Sequence, residues 1–223
     1  MPELQNILRE LALLAVPLLL AVTFHEAAHG YVADRLGDPT PRAAGRLTLN
    51  PFAHLDPMGT LVFVVTRAIG WAKPVPVDAR YFRNPRRDMV WVGLAGPAAN
   101  LVVAGVLALL CRLLLGALVA DPDGWAATRV WAPLAMVSVR GVTLNLGLAL
   151  FNLLPVPPLD GSRVLAGLLP PAAGGALAWL ERYGFVLLLV LVFSGVLDRT
   201  LFPALHFLSR GLLGPAGVLA GLS

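Results

Sequence analysis

Charged residues and cysteine are both scarce in this sequence. Aspartate, glutamate, lysine and arginine make up 13% of the 223 residues, whereas soluble domains contain about 25%. Cys111 is the only cysteine, which excludes an intramolecular disulfide. No long polar stretch is left for a second domain. We therefore expect one membrane-embedded domain over residues 1–223, with a motif-bearing core at about 11–165 and C-terminal helices at about 175–222.

Apolar segments dominate what is present, since 57% of the residues are hydrophobic. A membrane-spanning helix needs about 20 apolar residues. Four segments are long enough, and a weaker fifth, Leu201–Leu222, either spans the membrane or lies at its surface. The fold class predicted is an all-α polytopic membrane protein with four to six membrane segments. The four long segments are Leu11–Ala33, Met89–Ala120, Val130–Leu154 and Leu177–Leu197.

The region between the first two long segments predicts a different kind of element. Gly59–Trp71 is apolar but too short to span, which favours a re-entrant segment. Lys73–Val77 follows, and its two prolines favour extended chain over helix. Such a β-like element can offer an edge to an extended peptide.

The loop charges predict the orientation of the chain. Residues 34–88 are rich in arginine, and cytoplasmic loops carry an excess of such residues. The 121–124 loop is acidic and is expected outside. The net charge of +4 follows from this topology, so we expect a lipid bilayer and no nucleic acid as partner. The prediction is a multi-pass protein of the inner or plasma membrane whose active site lies toward the cytoplasm.

An HEAAH motif lies inside the first apolar segment. His25 and His29 are four residues apart, so they share one face of a helix. This spacing lets both imidazoles bind one zinc ion, with Glu26 as general base. Ionisable residues within a membrane segment are costly and usually functional.

A carboxylate is predicted at the same depth of the membrane. The third long segment ends in FNLLPVPPLDG, whose prolines break the helix at its cytoplasmic end and present Asp160. His25 and His29 lie toward the cytoplasmic end of the first segment. A catalytic zinc site uses three protein ligands and an open position for water. His25, His29 and Asp160 supply the three ligands for one Zn²⁺ per chain.

Taken together, these motifs resemble those of the site-2 protease family, the intramembrane zinc metalloproteases. The resemblance rests on HEAAH and NLLPVPPLDG, and on GRLTLNP at 45–51, GWAKPVPV at 70–77 and GPAAN at 96–100. It covers about residues 20–165 and is closest to the compact members without a PDZ domain.

This resemblance implies an endopeptidase that hydrolyses peptide bonds in transmembrane segments of other proteins. It implies that His25, His29 and Asp160 hold zinc and that Glu26 is the catalytic acid and base. Asn100 and Asn152 match positions linked to substrate binding or oxyanion stabilisation. Lys73–Val77 matches the part that holds substrate as an extended strand.

Several alternatives remain at the level of sequence. Asp160 is also suited to cap a short helix beginning near Gly161. Asn100 is equally suited to helix packing with one interhelical hydrogen bond. A zinc-binding membrane protein or transporter without protease activity would use the same ligands but would not need Glu26. A membrane-anchored peptidase that acts on soluble substrates is a third possibility.

Overall fold

The computed structural model describes residues 2–66 and 70–214. Eight α-helices follow one another in this part of the chain, joined by short 3-10 and π-helical turns. The end of the predicted fifth segment, 215–222, and residues 67–69 of the predicted short segment lie outside the described residues. The helices are α1 (Pro2–Arg35), α2 (Thr40–Ala43), α3 (Pro57–Thr66), α4 (Pro85–Ala120), α5 (Ala132–Asn152), α6 (Asp160–Leu168), α7 (Gly174–Phe193) and α8 (Val196–Leu213).

Four of these helical stretches are long and apolar enough to cross a membrane. α4 is the longest, with 36 residues, or about 54 Å at 1.5 Å per residue. Its first residue is Pro85, where a missing N–H costs nothing. The prediction of an all-α polytopic membrane protein is confirmed. The candidate spans are Leu13–Arg35, Pro85–Ala120, Ala127–Asn152 and Gly174–Phe193.

The interior of the bundle is formed by α1, α4 and α5, with α8 packed against α5. Small residues line α4 where it meets α5, including Ala104, Ala108 and Cys111. Small side chains let membrane helices approach closely and compensate for the weak hydrophobic drive between helices in lipid. Leu213 of α8 is fully buried in the same cluster. The described part of the fifth segment thus packs onto the bundle, although it is not among the four candidate spans.

The region between α1 and α4 contains a short helix and an extended segment. α3 has ten residues, or about 15 Å, which is too short to cross the hydrocarbon core. The described residues include no β-strand, and Lys73–Val77 is extended chain next to one isolated bridge between Leu55 and Ala72. The β-like character predicted here is therefore limited to that bridge.

Hydrogen bonds hold both ends of the extended segment. The Lys73 N–H donates to the carbonyl of His54 at 2.9 Å. The Asp78 N–H donates to the buried Asp38 carboxylate at 2.7 Å. This anchoring fixes the position of Lys73–Val77 beside α1.

Candidate metal centre

Three side chains from two helices meet at one point inside the bundle. The Nε2 atoms of His25 and His29 are 3.1 Å apart, and each is 3.1 Å from Oδ2 of Asp160. The three residues are 8%, 4% and 6% exposed. The histidines are four positions apart on α1, as predicted from HEAAH, while the carboxylate comes from the first residue of α6.

The hydrogen bonds to the other ring nitrogens establish which atoms face this point. Nδ1 of His29 lies 2.7 Å from the carbonyl of Val92, which can only accept, so this nitrogen carries the proton. Nδ1 of His25 lies 2.7 Å from Oδ1 of Asn100 and donates in the same way. In the neutral imidazoles, both Nε2 atoms then direct lone pairs at each other and at the carboxylate.

Three acceptors this close require a cation among them. Atoms bound to one tetrahedral zinc at 2.0–2.1 Å lie about 3.3 Å apart, close to the separations here. Two imidazoles and a carboxylate form a donor set that suits zinc.

Three successive turns of α4 accommodate the two histidines of α1. The Val92 carbonyl bonds His29 and the Asn100 side chain bonds His25. Between them lies Gly96, where an added Cβ would overlap Nε2 of His29 and lie 2.5 Å from Cε1 of His25. The glycine of GPAAN therefore leaves the space in which the imidazoles sit.

The proline-rich turn after α5 delivers Asp160. Gly161 packs against the backbone of Leu153 and Leu154, where a Cβ would overlap both carbonyl oxygens. Asp160 does not cap α6, since Leu159 is the N-cap residue and no side-chain cap bond forms. Its second oxygen, Oδ1, lies 3.5 Å from Nη1 of Arg163. The carboxylate is thus directed at the histidines and not at the helix amides.

Glu26 lies next to the extended segment. The backbone N–H of Val75 donates to Oε2 of Glu26 at 3.1 Å. Val75 is buried and packs near Gly30, one turn further along α1. The structure therefore brings together the glutamate of HEAAH and the Lys73–Val77 segment, which are 49 residues apart in sequence.

The two asparagines predicted from the resemblance occupy different environments. Asn100 is fully buried and bonds His25, Ala21 and Asn145. Asn152 is partly buried, and its amide donates to the carbonyl of Leu148 at 3.0 Å within α5. Asn100 is therefore in direct contact with a histidine of the centre, whereas the Asn152 amide donates within its own helix.

Comparison with known proteins agrees with this centre. The profile of "Peptidase family M50" matches residues 13–191. The chain belongs to peptidase family M50. This is the site-2 protease family, so the predicted resemblance is confirmed.

Curated relatives in the M50 family cover most of the chain. YwhC of Bacillus subtilis (strain 168), provisionally named a zinc metalloprotease, is 40% identical over 200 residues, which is 86% of this chain and 85% of that protein. Rip2 of Mycolicibacterium smegmatis, with the same provisional description, is 32% identical over 193 residues, covering 85% and 70%. No solved structure shows significant similarity. With its family and its donor set, the chain is a zinc metalloendopeptidase embedded in a membrane.

Two contributors to this M50 centre were absent from the sequence prediction. Asn145, fully buried on α5, bonds Asn100, and the backbone carbonyl of Val92 bonds His29. A polar amide seven residues before Asn152 in an apolar helix was a usable signal, because such residues are costly in a membrane. A backbone carbonyl leaves no signal in the sequence.

Proposed function

We propose that this M50 peptidase hydrolyses peptide bonds within transmembrane segments of membrane proteins, near the cytoplasmic face. The observation that carries the proposal is the position of the centre, buried between helices long enough to span a membrane. A site at that depth suits a substrate that is itself in the membrane.

The depth follows from the position of the histidines in α1. His29 and His25 lie six and ten residues before Arg35, the last residue of the helix, or about 9 and 15 Å along its axis. The connection that follows α1 is the basic one, with Arg35 and Arg83 exposed on it. Basic loops favour the cytoplasm, so we place the centre in the cytoplasmic leaflet.

The chemistry assigned to the chain's own residues begins at Glu26. When bound, zinc polarises the scissile carbonyl and lowers the pKa of its bound water to about 7. The Glu26 carboxylate takes the proton of the attacking water and passes it to the leaving amine. His25, His29 and Asp160 hold the metal. Asn152 is proposed to donate to the developing oxyanion.

The substrate must reach this site in extended form, because a helix hides its scissile amide in hydrogen bonds. The Val75–Glu26 contact supports a role for Lys73–Val77 in holding the opened chain beside the general base. Substrates with residues that weaken helices are therefore expected.

The decisive experiment compares Glu26→Ala with wild type in proteoliposomes that contain a single-span candidate substrate. Cleavage should be lost while zinc content stays at about one ion per chain, because Glu26 is not a ligand. Glu181→Ala, which changes an exposed glutamate on α7, serves as the matched control and should cleave normally.

Other outcomes would replace this proposal. Unchanged cleavage by Glu26→Ala would refute the assigned role of the general base. Zinc flux into the proteoliposomes without cleavage would support a transporter. Equal activity of wild type on a short soluble peptide would support an anchored peptidase with soluble substrates.

A further inference from the structure

A pair of buried amides lies on the Nδ1 side of His25, away from the Nε2 atom that faces His29 and Asp160. Asn100 of α4 and Asn145 of α5 are both fully buried, and Nδ2 of Asn100 donates to Oδ1 of Asn145 at 2.9 Å. Together with His25 of α1, they connect the three central helices through side-chain hydrogen bonds. Nothing in the proteolytic chemistry above uses Asn145.

The surrounding carbonyls determine how each amide is turned. Nδ2 of Asn145 lies 2.8 Å from the carbonyl of Gly141, which can only accept, so Oδ1 of Asn145 faces Asn100. Nδ2 of Asn100 donates to that oxygen and to the carbonyl of Ala21 at 3.1 Å. Oδ1 of Asn100 is left for His25, whose Nδ1 must be the donor.

We propose that Asn145 is a positioning residue that acts through Asn100 to keep the Nε2 lone pair of His25 directed at zinc. The proposal rests on the role of His25 as a ligand. If the Asn145 oxygen is lost, the Ala21 carbonyl alone keeps the Asn100 NH₂ group turned away from His25, and an amide that turns over presents this group to His25. His25 then carries its proton on Nε2, where it blocks the metal.

The environment makes this orientation effect large. Unpaired polar groups are costly where water is excluded. Each amide in the chain of hydrogen bonds from Asn145 through Asn100 to His25, called the relay below, therefore keeps the orientation that satisfies all its neighbours. Residues that orient metal-bound histidines typically contribute 10–100-fold to metal affinity. Asn100, in direct contact, should be at the upper end of that range and Asn145 at the lower end.

The test measures zinc release from the purified full chain into a chelator, a reading that needs no protease activity. Asn145→Leu, similar in size but without an acceptor, should release zinc about tenfold faster than wild type. Asn145→Asp, as the protonated acid, keeps a carbonyl oxygen facing Asn100 and an O–H that can donate to the Gly141 carbonyl, and it should restore slow release. Asn100→Leu should release zinc faster than Asn145→Leu.

Ser138→Ala is the matched control. Ser138 is buried seven residues before Asn145 on α5, and its hydroxyl donates to the carbonyl of Leu134 within the helix. Its release rate should equal that of wild type. If Asn145→Leu does not fold, Asn145→Ser, too short to reach Asn100, carries the same expectation.

The outcomes separate this relay from the metal site itself. Wild-type release from a folded Asn145→Leu or Asn145→Ser, fast release from Asn145→Asp, or equally fast release from Ser138→Ala would overturn the relay. Zinc retained by His25→Ala would instead refute the ligand assignment on which the relay rests.

Discussion

At the scale of single residues, the centre depends on the absence of a side chain at one position of α4 as much as on the hydrogen-bonding groups that α4 provides. Gly96 is placed where any side chain would meet the rings of His25 and His29. Asn100 and the Val92 carbonyl, one turn to either side, bond the same two rings. GPAAN is therefore an element that receives the HEAAH histidines.

Gly96→Ala should abolish zinc binding, because its methyl group would occupy the space of the imidazoles. The measurement is zinc content of the purified protein. Gly105→Ala is the control on the same helix, since a Cβ there meets nothing within 4 Å. It should keep full zinc content, and alanine is about 1 kcal/mol better than glycine within a helix. Full zinc content in Gly96→Ala would show that the rings can move aside.

The candidate zinc ligands and the general base could be predicted from the sequence. The residues that hold these side chains in place were harder to predict. His25, Glu26 and His29 follow from one spacing rule, and Asp160 from a proline-rich break in the same leaflet. Asn145 depends on how α5 is rotated against α4, which the apolar pattern of a membrane helix does not specify. For Asn100 the sequence left packing and function equally open. In the structure its Oδ1 bonds His25 and its Nδ2 bonds Ala21 and Asn145, while a role toward substrate stays a prediction.

At the scale of elements, Lys73–Val77 has few backbone donors available for another strand. Pro74 and Pro76 have no N–H group. The N–H of Lys73 bonds His54, and that of Val75 bonds Glu26. An incoming extended substrate therefore meets a segment whose donors are mainly used within the chain. The sequence alone could not show these internal bonds, and the role of this segment in holding substrate stays a prediction.

Val75→Pro removes one N–H from this segment, which is already extended and flanked by prolines. We expect turnover to fall about tenfold with zinc content unchanged, because a hydrogen bond to a charged group is worth about 1.5–3 kcal/mol. Steady-state cleavage should show the loss in kcat more than in KM. Val75→Ala, which keeps the N–H but shortens the side chain, is the control. Equal losses in both variants would assign the effect to packing of the side chain.

At the scale of the whole molecule, length and hydropathy were sufficient to predict the spans but not their arrangement. The four predicted apolar segments correspond to the four candidate spans within a few residues. The region between α1 and α4 was harder, because α3 and the extended segment are held by contacts distant in sequence. One such contact is the bond from the Asp78 N–H to Asp38, across 40 residues.

Orientation in the membrane is the property on which the proposed cytoplasmic position of the site depends, and it can be tested directly. Cys111 is buried and is the only cysteine, so Cys111→Ala provides a background without thiols. Arg83 and Asp123 are exposed in the basic and acidic loops. In that background, a membrane-impermeant thiol reagent applied to intact cells should label Asp123→Cys but not Arg83→Cys.

Permeabilising the cells should then make Arg83→Cys reactive, which shows that its thiol is accessible and was protected only by the membrane. The reverse pattern would place the basic loop outside and move the centre to the outer leaflet, because His25 and His29 lie near the Arg35 end of α1 in either orientation. The ligands and Glu26 would be unchanged in that case. The side of the membrane on which substrates are cut would be reversed.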